Sequence, residues 1–97
     1  MKHRFLEITY RRGKPLAAYL YLARNPGDKA TRTQRQESGL LIDYAEDGRP
    51  IGIEITAPSK ITLAALNQAL SSAHQEPVTP DDFAPLQSSQ PPAAAAK

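Results

Sequence analysis

Asp43 and Glu54 are the two residues in this chain whose types and spacing come nearest to chemistry. They fall on alternating apolar-polar stretches, Gly39 to Tyr44 and Pro50 to Ile55, which Asp47-Gly48 separates. If those stretches pair as a hairpin, the carboxylates share a face as diagonal neighbours about 7 to 8 Å apart at the backbone. Such a pair suits general acid and base work or cation binding, provided that the surroundings push the two pKa values apart. The sequence supplies neither the burial nor a partner base. A solvated strand face accounts for Asp43, Gly52 and Glu54 more simply, and an enzyme built on them requires a concave pocket there.

Other reactive constellations are missing. The chain has 97 residues and no cysteine, which excludes a disulfide framework, a thiolate zinc site and a cysteine nucleophile. His3 and His74 lack further ligands at metal-binding spacing, and Ser59, Ser71 and Ser72 have neither a base nor a nucleophile-elbow context. The expectation is therefore no catalytic residue, no metal, no cofactor and no identified small-molecule substrate.

Binding is the remaining route to function. Residues 1–35 carry nine basic groups against Glu7 and Asp28, a balance of +7, while residues 36–97 carry three against eight acids, a balance of −5. Arg11, Arg12, Lys14, Arg24, Arg32 and Arg35, with Phe5, Tyr19 and Tyr21, resemble the basic surround and aromatic platform of single-strand binding. Glu7 intrudes on that surface and no named nucleic-acid motif is present. Neutralisation of the asymmetry within the fold or across a dimer is the plainer expectation.

These residues need elements to position them. Phe5 to Tyr10 and Leu16 to Leu22 alternate as strands on either side of a basic turn. A three-residue loop of Arg12, Gly13 and Lys14 pairs Tyr10 with Leu16, Ile8 with Ala18 and Leu6 with Leu20, and it gathers the aliphatics on one face. Phe5, Tyr19 and Tyr21 then lie on the other, needing cover from a second layer, a partner chain or a ligand. Asn25 to Gln36 is polar without period and reads as a basic loop. In the second hairpin, Asp47-Gly48 fits a type I′ turn that pairs Tyr44 with Ile51, Ile42 with Ile53 and Leu40 with Ile55. From Ile61 the period becomes helical, with Leu63, Leu66, Leu70 and Ala73 on one stripe and Thr62 or Ser59 as the cap. Pro77 stops the helix. Thr79-Pro80-Asp81-Asp82 begins a single turn whose Phe83 and Leu86 can dock, and the residues after Leu86 have little to bury.

Leu20-Tyr21-Leu22, Gly39 to Tyr44, Glu46-Asp47-Gly48 and Gly52-Ile53-Glu54-Ile55 together resemble a small bacterial family labelled domain of unknown function 2283. The resemblance spans roughly residues 5–60. Members typically carry Asp-Ala before their Leu-Tyr-Ile stretch, where this chain has Ala18-Tyr19. It implies a β-rich domain followed by a helix and brings no reaction.

The expected fold is α+β: a four-stranded antiparallel sheet from two β-hairpins, with one C-terminal helix of about residues 62–74 packed on one face. Residues 1–76 form the domain, and 77–97 a Pro/Ser/Ala-rich, mostly disordered tail. The basic start leads into no signal-peptide core and no apolar run nears the ~20 residues of a membrane span, so a cytoplasmic protein is expected. A chain this short buries only about 60 to 65% of the surface its unfolded form exposes, which favours a homo-oligomer or a protein partner. The leading expectation is a non-enzymatic interaction or self-association module using the Phe5, Tyr19 and Tyr21 face or a sheet edge. The alternative is a nucleic-acid-binding accessory protein using Arg11, Arg12 and the basic first half.

Overall fold

A computed structural model describes residues 4–87. Strands β1 (Phe5–Arg11) and β2 (Lys14–Tyr21) form the first hairpin, with Leu6 facing Leu20 and Ile8 facing Ala18. The turn is shorter than the three-residue loop expected. Arg12 (φ 54°) and Gly13 (φ 79°) are both left-handed, the two-residue geometry whose twist matches the strands, and Arg11 faces Lys14. A bulge between Thr9 and Tyr10 then sets Tyr10 opposite Pro15 and not Leu16. Pro15 has no N–H to give to a ladder and suits a bulge, and Leu16 is left 50% exposed.

Strands β4 (Leu40–Tyr44) and β5 (Pro50–Ile55) form the second hairpin with the expected Leu40–Ile55 and Ile42–Ile53 pairs. The type I′ turn is not formed. Gly48 alone of the Asp47-Gly48 pair takes positive φ (+92°), the Gly48 N–H donates to Ala45 O at 2.9 Å, and the Ala45 N–H donates to Arg49 O at 2.8 Å. This is a three-residue loop closed by a left-handed glycine, and it sets Tyr44 opposite Pro50, not Ile51. Ile51 becomes the extra residue of a bulge and is fully buried.

The sheet has five strands, in the order β1-β2-β5-β4-β3, which corrects the expected four. Strand β3 (Arg32–Arg35) lies within residues 25–36, the stretch read as a loop. All four of its side chains are exposed, so no apolar alternation marks it in the sequence; its backbone pairs antiparallel with β4, from Arg32–Tyr44 to Arg35–Leu41. Arg32 lies over the Tyr44 ring at 4.1 Å. The loop before β3 is anchored by Asp28, which accepts from both terminal nitrogens of Arg49 (2.9 and 3.1 Å) and from the Asn25 N–H (2.8 Å).

One face of the sheet is covered by helix α1 (Leu63–Ser72), capped by Thr62, whose hydroxyl accepts from the Ala65 N–H at 3.0 Å. Leu66, Ala69 and Leu70 are buried against Leu20, Ile42, Ile53 and Ile55. The helix ends in a Schellman-type turn: Gln75 N–H donates to Leu70 O at 2.8 Å, and His74 takes the left-handed position (φ 61°) that glycine usually fills. A second helix, α2 (Pro80–Phe83), is capped by Thr79 and runs into a 3-10 turn. Residues 77–87, read as the start of the tail, therefore pack on the core: Phe83 and Leu86 are buried, and Asn67 holds Val78 through both its amide groups. The remainder of the expected tail, residues 88–97, lies outside the described residues, as do Met1, Lys2 and His3.

Candidate functional site

The uncovered face of the sheet holds most of the site residues expected from sequence. The register aligns Phe5, Tyr21, Gly52, Asp43 and Thr33 in one row across the five strands, and Glu7, Tyr19, Glu54, Leu41 and Arg35 in the next. Tyr19 leans out of its row across Gly52 and donates from its hydroxyl to Asp43 Oδ2 at 2.7 Å, while Thr33 donates to Asp43 Oδ1 at 2.6 Å. A β-carbon at position 52 would fall inside the Tyr19 phenol ring, which is why a buried glycine stands mid-strand. Burial of the phenol, together with the Asp43 carboxylate, pushes the Tyr19 hydroxyl well above its ordinary pKa, against an opposing pull from Arg24.

The aromatic rings cover one another. Phe5 stacks on Tyr21 at 4.5 Å and Tyr19 meets Tyr21 edge-on at 4.7 Å. The Tyr21 hydroxyl donates to Glu7 at 2.9 Å, and that bond holds its pKa above the ordinary value. Arg24 lies 5.4 Å from the Tyr21 ring centre and donates to Ile51 O at 2.6 Å. Arg11 and Arg12 are not part of this cluster: Arg11 ends β1 and Arg12 follows in the turn, about 20 Å of strand from Phe5. Glu54 faces Tyr19 in the register and is exposed. The face thus joins Asp43 and Gly52 to Tyr19, and leaves Glu54 to solvent.

A concavity lies on the opposite face, where sequence reasoning placed only core. A groove of about 510 Å³ runs between β1 and the segment carrying α2. Its walls are Leu6, Ile8 and Tyr10, the alternate inward residues of β1, facing Val78, Phe83 and Pro85. Arg4, Asp81 and Asp82 stand at its mouth. Arg4 donates to the carbonyls of Glu76 and Pro77, which ties the start of β1 to the chain that runs into α2. Strand β1 is an edge of the sheet, so the groove follows seven residues of backbone with one side open. Leu6, Ile8 and Tyr10 are only half-buried, although they continue the core side of the sheet. The Tyr10 hydroxyl is buried with no hydrogen-bond partner among the described residues. The sequence signal for this site was present in two parts, the inward side of β1 and the docking turn Phe83–Leu86, but nothing in it tells that the two meet.

Among the described residues no group of three or more His, Cys, Asp or Glu side chains is placed to hold a metal ion, and no helix is long and apolar enough to cross a membrane.

Residues 17–58 match the model of a family described as "Protein of unknown function (DUF2283)". The match runs from Ala17, within β2, through β5, and it leaves β1, both helices and, apart from Leu20, the lining of the groove outside. No curated protein and no solved structure matches the chain.

Proposed function

We propose that this chain is a non-enzymatic interaction module, and that it associates with a second copy of itself through the open edge of β1. The observation that carries the reading is the coincidence of an unpaired seven-residue edge with an apolar groove along its inward side. An edge strand presents a row of free N–H and C=O groups as a template for another strand. Strand β3, the other edge, is short and carries Arg32 and Arg35, the charged and abbreviated form that discourages such pairing. The aromatic face supports association less, because Phe5, Tyr19 and Tyr21 already satisfy one another. A nucleic-acid platform draws less support for the same reason, and because Glu7, Asp43 and Glu54 lie on that face.

Sedimentation equilibrium of the full chain tests the reading. The apparent mass is expected to rise from 10.6 kDa toward twice that value with concentration. Ile8→Lys places a charge in the edge and is expected to hold the chain monomeric, with circular dichroism checking that it remains folded. A wild-type chain that stays monomeric at high micromolar concentration sinks the proposal.

A further inference from the structure

Resting on that reading, we infer that two copies pair β1 to β1 in antiparallel fashion about a two-fold axis through Ile8, each filling the other's groove. A two-fold contact is self-complementary, so residue i of one copy must face j of the other and j face i. Ile8 is the midpoint of Phe5–Arg11, and a two-fold there pairs all seven residues. Leu6 then faces Tyr10 of the second copy, Ile8 faces Ile8, and both pairs lie on the groove side. Moving the register by one residue would set apolar side chains opposite the solvent-facing set.

Two further features fit this register. Phe5, 48% exposed, receives Arg11 of the second copy opposite it on the outer face, a cation beside a ring. The basic hairpin tip of Arg11, Arg12 and Lys14 is brought to the start of the second copy's β1, where Arg4 holds the carbonyl of Glu76, all of them but Arg4 exposed. The result is one ten-stranded sheet with the β3 strands as its outer edges.

Cysteine cross-linking reads the register directly, and the chain has no cysteine of its own to confuse it. Residues directly opposite in an antiparallel pair have Cα atoms about 4.5 to 5.5 Å apart, within disulfide range. Ile8→Cys is therefore expected to form a disulfide dimer under mild oxidation. Glu7 faces Thr9 of the second copy, so Glu7→Cys mixed with Thr9→Cys should give several-fold more cross-linked dimer than either variant alone. Both of those positions are exposed, which keeps the test valid if Ile8→Cys folds poorly. Dimers by sedimentation that cross-link as well through Glu7→Cys alone would leave self-association standing and overturn this pairing. A monomer whose Ile8→Cys thiol is shielded from alkylation would assign the groove to the chain itself and overturn both.

Discussion

Tyr19 and Gly52 form a unit that spans three strands. The phenol crosses the glycine to reach Asp43, so any side chain at 52 displaces it. Ala would normally be favoured over Gly inside a strand by ~0.5–1 kcal/mol. Here Gly52→Ala is expected to destabilise the fold by about 1–3 kcal/mol, the cost of overpacking, and to cost much less in a Tyr19→Ala background. Urea titration of the two single variants and the double variant measures the coupling. Tyr19 also sets a pH dependence. Its folded pKa is raised, so its contribution is complete below the unfolded value near 10 and is lost as pH climbs beyond it. The stability advantage of the wild type over Tyr19→Phe should thus hold from neutral pH to about 10 and shrink above that. Alternation revealed that Tyr19, Asp43 and Gly52 share a face, because period two fixes which side a residue points to. It did not reveal that they touch, because lateral neighbours depend on strand order, and β2 lies against β5 only in the folded sheet.

At the scale of elements, what the sequence revealed followed the strength of its local signals. The Thr62 and Thr79 caps, the α1 stripe and the inner pairs of both hairpins are present where side-chain pattern and packing agree. The departures have backbone causes. Arg12 adopts a left-handed conformation that sequence assigns to glycine, which shortens the first loop, and the bulge beside it restores the inward alignment of Leu6 and Ile8. Strand β3 has no apolar residue to announce it and exists as a ladder against β4. His74 is the third such case: a side chain holds the αL position that closes α1. A non-glycine residue there costs about 1 kcal/mol. His74→Gly is accordingly expected to raise unfolding free energy by about 0.5–1 kcal/mol in urea melts, while Ala at the same site gives no such gain. A neutral or destabilising glycine would mean that the imidazole contributes more at this helix end than its backbone costs.

For the whole molecule, two ion pairs of the described residues join Arg49, which belongs to the acidic half, to Asp28 and to Asp47, and neither brings a cation of the basic half to an acid of the other. The basic tip at Arg11, Arg12 and Lys14 faces outward at one end of β1, and the exposed Glu76 lies at the other, where Arg4 holds its carbonyl. An antiparallel dimer brings each to its complement. In the proposed dimer folding and association are linked, since a ligand that binds only the native state stabilises it by mass action, and there the ligand is a second copy. Above the dissociation constant, each tenfold rise in concentration adds half of RT ln 10 per chain, about 0.7 kcal/mol, which for a domain of this size raises Tm by about 3 to 5 °C. Thermal melts across two decades of concentration should display that slope for the wild type and a flat line for Ile8→Lys. Added salt should raise the concentration at which the slope sets in by screening the exposed charges, without abolishing it, because the apolar filling of the groove is insensitive to ionic strength. A concentration-independent Tm in the wild type would leave the β1 edge without its second copy.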